Sequence, residues 1–247
     1  MKILSIGNSF SEDAHAYLHA LAKQRNIDLT TVDLAIGGCS LERHWDNVTK
    51  NSASYLYSKN GEPFWGEPNT AIEPNLKSDS YDVITLQQVS GYSGEYESYQ
   101  PYLNNLIEYV RAYQPSAKIY IHRTWAYEID SSHGDFPKYG SNQRKMYEAI
   151  CKATTLASEE TGADIIPSGD VIQALRERVG ELDYANGGES LCRDGFHLSE
   201  TYGRYAAALT WLATLTGKRV EPMPFMELSI DIIAKICEIV NEIAHAK

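Results

Sequence analysis

The chain has 247 residues, enough to bury one large core without dividing into separate domains. Its formal net charge of -11, with no basic stripe to offset it, excludes nucleic acid and anionic membranes as general partners, because both would repel it. No apolar run approaches the roughly eighteen residues that a membrane span needs.

The elements alternate between strand and helix. Lys2 to Ile6 is a short apolar run ending at Gly7 and reads as a buried strand. With a strand starting so early there is no room for a leader, so the expected location is the cytoplasm, or outside it if a leader has been removed. Ser11-Glu12-Asp13 reads as a helix start, and the helix is predicted to run to about Arg25. Asp28 to Ala35 alternates and ends at Gly37-Gly38, giving a second strand. Residues 40–80 show little periodicity and hold Trp45 and Trp65, so a loop-rich insertion with one short helix is expected there.

Tyr81 to Gln88 forms the third predicted strand, and Pro101 to Tyr113 a helix with Leu103, Leu106, Ile107 and Val110 on one face. Lys118 to His122 is the fourth strand, and a long loop leads from it to a helix over Ser141 to Glu160. A fifth strand over Ala163 to Ile166 and a helix to about Val179 follow, then closing helices over Ser199 to Thr216 and Met226 to Ala244. Five short apolar strands separated by helices imply a parallel sheet covered on both faces, a flavodoxin-like three-layer α/β/α sandwich making one domain over 1–247. In such sheets ligands bind beyond the carboxyl ends of the strands. The informative segments collect at that edge: Gly7-Asn8-Ser9, Gly37-Gly38, Gln87-Gln88 and His122-Arg123-Thr124-Trp125.

Two of these segments suggest chemistry. In Gly7-Asn8-Ser9-Phe10-Ser11, a serine at a strand-to-helix turn has its hydroxyl above the sheet, beside unpaired backbone N–H groups that suit an oxyanion. Taken alone, the motif reads more readily as Ser9 or Ser11 capping a helix. In Asp194-Gly195-Phe196-His197, a tight turn can set a carboxylate against imidazole Nδ1 and leave Nε2 free to accept a proton. His15 lies on a helix where its side chain diverges from Asp13, and His44 and His133 read as surface loop residues. Cys39, Cys151, Cys192 and Cys237 show no metal-ligand spacing, and Cys151 and Cys237 read as buried thiols.

A nucleophile near the start and an Asp-x-x-His before the closing helices resemble the SGNH (GDSL-like) hydrolases. The resemblance implies a Ser9, His197 and Asp194 triad, no metal or organic cofactor, and an oxyanion donor at Gly38. The usual family carries Gly-x-Asn-Asp after the third strand, where this chain has Leu86-Gln87-Gln88. It is similar to a branch in which a glutamine amide replaces the asparagine, Gln87 being the first choice and Gln88 the alternative. Gly-Asn-Ser in place of Gly-Asp-Ser keeps the serine and its turn.

Trp45, His122, Trp125 and Tyr127 read either as packed residues or as the lining of a substrate cleft. Seventeen tyrosines against five phenylalanines, and no apolar lid, point away from long acyl chains and toward a small acyl ester of a sugar. The expected activity is therefore carbohydrate deacetylation. Two rivals remain at this stage: a non-catalytic sugar-binding relative, and a phosphate binder using the strand-one turn.

Overall fold

A computed structural model describes residues 1–64 and 66–246; Trp65, named above within the insertion, lies outside them. Strands β1 (Lys2–Gly7), β2 (Thr30–Ala35), β3 (Leu56–Lys59), β4 (Val83–Leu86), β5 (Lys118–His122) and β6 (Asp164–Ile166) form one sheet in the order β3-β2-β1-β4-β5-β6. Five of them are parallel, in the flavodoxin-like order. The sheet therefore has six strands rather than the five expected, because β3 pairs antiparallel with β2 at the edge. Its sequence, Leu-Tyr-Ser-Lys, buries only Ser58, so no apolar alternation marks it as a strand. The register is what holds it: Leu56 opposes Ala35, and Lys59 opposes Val32.

The insertion over 40–80 is correspondingly more ordered than expected, with helices α3 (Leu41–Thr49) and α4 (Ile72–Ser78) flanking β3. The first predicted helix divides into α1 (Ser9–His15) and α2 (Leu18–Gln24). The remaining helices are α5 (Tyr102–Tyr113), α6 (Gln143–Thr161), α7 (Ser168–Arg178), α8 (Tyr202–Thr216) and α9 (Ile230–Ala244).

Successive strand residues point to opposite faces, and the core divides accordingly. Leu4, Ile6, Ile84, Leu86, Ile119 and Ile121 pack beneath α3, α4 and α5. Ile3, Val83 and Tyr120 pack beneath α1, α2, α7, α8 and α9. Helix α6 serves both clusters, through Met146 and Ile150 on one side and Ala153 and Ala157 on the other. Helix α8 is buried on nearly every side from Tyr202 to Ala213, which is why its sequence shows almost no polar face. His44, expected at the surface, sits on α3 and is fully buried, with Nδ1 2.8 Å from the Tyr55 hydroxyl. Among the described residues no helix is long and apolar enough to cross a membrane.

Candidate active site

The site begins with the end of β1. Gly7 leaves no room for a side chain: a Cβ there would lie 2.3 Å from Ser11 Oγ. The chain then turns through Asn8, whose side-chain oxygen accepts from the Phe10 N–H at 3.1 Å and so caps α1. Capping thus falls to Asn8, and the Ser11 hydroxyl sits instead between the Asn8 carbonyl and Asp33, 2.8 and 2.9 Å away. Ser9 becomes the first helical residue, with its hydroxyl free for another partner.

That partner comes from far along the chain. His197 Nε2 lies 2.8 Å from Ser9 Oγ, and His197 Nδ1 lies 2.7 Å from Asp194 Oδ2. The other Asp194 oxygen accepts from the backbone N–H groups of Phe196 and His197, at 3.2 and 2.8 Å. Burial works against the Asp194 charge, but the imidazole and these two N–H groups outweigh it and hold the carboxyl below its usual range. The loop itself is a small hairpin. Cys192 bridges Leu198, the Arg193 N–H donates to the His197 carbonyl at 2.9 Å, and Ser199 N–H donates to the Leu191 carbonyl at 2.8 Å.

Among the described residues the backbone N–H groups of Ser9 and Gly38 have no hydrogen-bond partner, and Gly38 is exposed with φ +63. The two glutamines divide as alternating strand residues do. Gln88 is turned to the α5 side, accepting from the Leu41 and Val89 N–H groups and donating to Ser98 O and Oγ, so its amide hydrogens are already engaged. Gln87 faces the turn that carries Ser9, where its amide donates to Asn8 Oδ1 at 2.7 Å.

This contact fixes a tautomer. Asn8 Oδ1 already accepts from Phe10 N–H, so the Gln87 atom facing it must be the nitrogen. Gln87 Oε1 then faces His122 Nδ1 at 2.8 Å and can only accept, so Nδ1 carries the proton. Ser168 Oγ donates to Nε2 from 3.0 Å. Burial lowers the His122 pKa to about 3, so the ring is neutral, as this arrangement requires.

The remaining candidates are set back from the surface. His122 is 1% exposed, and Trp125 and Tyr127 are fully buried, so none presents a face to a cleft. Trp125 stacks on Phe10 with ring centroids 4.3 Å apart and donates from Nε1 to the Phe196 carbonyl at 2.7 Å. It therefore backs both the residue after Ser9 and the residue before His197. The Tyr127 hydroxyl pairs with Ser90 Oγ at 2.8 Å. Trp45 lies half-buried on α3 against the opposite core cluster. Sequence reasoning missed Asn8, which reads there as ordinary turn material, and Asp13, which reads as a first-turn acid.

The fold is that of the SGNH hydrolases. A protein from Slackia heliotrinireducens provisionally classed in that group superimposes with a TM-score of 0.60 at 22% identity, covering 87% of this chain and 98% of that one. An acetyl-xylooligosaccharide esterase from Geobacillus stearothermophilus, solved as a mutant, gives 0.55 at 12% identity, covering 85% and 92%. The chain belongs to the DUF4886 family, described as a domain of unknown function, which it matches over residues 2–246. A DUF4886 protein from Bacteroides uniformis is 36% identical, with a TM-score of 0.90 and coverage of 98% of this chain and 93% of that one. No match is found among curated proteins.

Proposed function

We propose that the protein is a serine esterase that removes small acyl groups, acetyl in particular, from carbohydrate. The observation that carries this reading is the unbroken relay from Ser9 Oγ through His197 to Asp194, at 2.8 and 2.7 Å. A serine serving only as a cap has no need of an imidazole oriented by a carboxylate.

In this mechanism His197 Nε2 takes the Ser9 proton as Oγ bonds to the ester carbonyl carbon. The oxyanion that forms is met by the free N–H groups of Ser9 and Gly38. His197 returns the proton to the leaving alcohol oxygen as the carbon–oxygen bond breaks, giving an acyl-Ser9. Water, deprotonated by the same imidazole, then releases the acid and restores the hydroxyl. Gln87 supports the hole by holding Asn8, and hence the turn that aims the Ser9 N–H. The fold likeness to an acetyl-xylooligosaccharide esterase supports a sugar ester as substrate, as does the surplus of tyrosine over phenylalanine.

Turnover of p-nitrophenyl acetate by wild type, Ser9→Ala and His197→Ala tests the mechanism. Each substitution is expected to lower kcat by about ten-thousandfold or more. Equal rates in all three would refute it. For the substrate, acetate release from acetylated xylo-oligosaccharides should exceed hydrolysis of a palmitoyl ester, and the reverse preference rejects the carbohydrate assignment.

A further inference from the structure

Asp13 is a fully buried carboxylate on α1, one helical turn beyond Ser9. Among the described residues, every hydrogen bond it accepts through its side chain comes from the other end of the chain. Oδ1 accepts from Arg193 Nη1 at 2.8 Å and from Arg204 Nε at 2.9 Å, and Oδ2 accepts from the Leu198 backbone N–H at 2.8 Å. Arg193 and Leu198 immediately flank the segment that contains Asp194 and His197. Arg193 also donates to the Leu198 carbonyl, so the two flanks are tied to each other as well as to Asp13. The tip of the same hairpin is held from the far side, by Trp125 Nε1 on the Phe196 carbonyl and the Glu128 N–H on the Gly195 carbonyl. Those contacts fix the hairpin to the loop after β5. Asp13 fixes it to the helix that carries the nucleophile.

We propose that Asp13 is a positioning residue of this site, setting the Ser9–His197 separation by strapping both flanks of the Asp194–His197 turn to helix α1. The proposal rests on the esterase reading above. Two members of the triad are joined by a single hydrogen bond that must form and break in each cycle, so it cannot itself hold the loop in register. A buried carboxylate with three donors can, because losing them would leave its own charge buried without partners. Asparagine cannot replace it. Whichever way its amide is turned, the NH₂ faces either the Leu198 N–H or the two guanidinium groups.

The test uses the whole chain as wild type, Asp13→Asn, Arg193→Ala and Ser9→Ala, with two substrates that differ in leaving group, p-nitrophenyl acetate and ethyl acetate. Misplacing the imidazole should lower kcat/KM of Asp13→Asn on p-nitrophenyl acetate, which reports the acylation step, about a hundredfold. The loss on ethyl acetate should be about tenfold greater, because ethoxide needs the imidazole proton to leave and p-nitrophenoxide does not. Arg193→Ala should move both rates in the same sense, by about tenfold on p-nitrophenyl acetate. A partly unfolded sample scales both substrates by one factor, so the ratio of the two rates is blind to it. A wild-type ratio in Asp13→Asn overturns the proposal, and if that variant does not fold, a wild-type ratio in Arg193→Ala does so. A wild type no faster than Ser9→Ala overturns the esterase reading itself and this proposal with it.

Discussion

At the scale of single residues, the candidate site depends on side chains that each do one job under tight constraint. Asp194 is 42% exposed yet held below its usual pKa, so its value lies in orienting the ring rather than in a buried charge. Asp194→Asn keeps the shape but offers an amide where Nδ1–H needs an acceptor, or turns its NH₂ toward the Phe196 and His197 N–H groups. A fall in kcat on the order of a thousandfold or more is expected on p-nitrophenyl acetate, with little change in the urea unfolding midpoint. Gly38 makes a different kind of contribution. A methyl group there meets no atom within 4 Å, so Gly38→Ala strains only the left-handed backbone that presents the N–H. Its kcat should drop by about tenfold to a hundredfold while the protein stays folded, as kcat and circular dichroism measured together would show. An undiminished kcat would remove Gly38 from the oxyanion hole. Ser9, Asp194 and His197 were legible in the sequence because each sits in a short motif with its own local logic. Asn8 and Asp13 were not, because what they do is defined by partners that the sequence places far away: Gln87 for the first, Arg193, Leu198 and Arg204 for the second.

At the scale of elements, β1, β4 and β5 were readable from apolar runs, since a strand buried on both faces has no polar side to obscure it, and β2 from its alternation. The edge strand β3 and the break between α1 and α2 were hidden for a shared reason: both are set by tertiary contact. The turn following β3 presses Gly61 onto the end of α1, where a Cβ would come within 2.8 Å of the carbonyl oxygens of both His15 and Ala16. Helix α1 stops at this contact, and nothing in the run from Ser11 to Arg25 announces it. Gly61→Ala therefore meets both a φ of +74 and a backbone clash, whereas Gly217→Ala, at a φ of +65 with nothing within 4 Å, meets strain alone. Urea unfolding should show a loss of about 2–3 kcal/mol for the first and about 1 kcal/mol for the second. Equal losses would mean that the turn is not packed on α1 as described.

For the molecule as a whole, the least expected feature is a set of histidines used as core polar groups. His15, His44 and His122 are at most 2% exposed, and burial lowers the pKa of each to about 3. The ordinary imidazole value near 6.5 applies once the chain unfolds. Below that value the unfolded chain binds protons that the native state refuses, so stability falls as pH drops from about 6.5 toward 3. Each ring contributes at most about 1.4 kcal/mol per pH unit in that window. Asp33 works in the opposite direction. Burial raises its pKa well above the usual carboxylate range, so it offsets part of this slope. The net slope is therefore at most about three protons, or about 4 kcal/mol per pH unit. Ordinary carboxylates begin to titrate only lower down, so the interval from pH 6.5 to 5.5 belongs to the imidazoles. Urea unfolding midpoints should decline steadily across that interval, and His44→Gln should flatten the decline by about one proton. A total stability of roughly 5–15 kcal/mol is exhausted within a few pH units at that rate, so the protein unfolds in acid. Midpoints that stay level from pH 7 to 5.5 would mean that these three rings reach water, and that the polar seam joining Ser5, His15 and Thr85 beneath helix α1 is open rather than sealed.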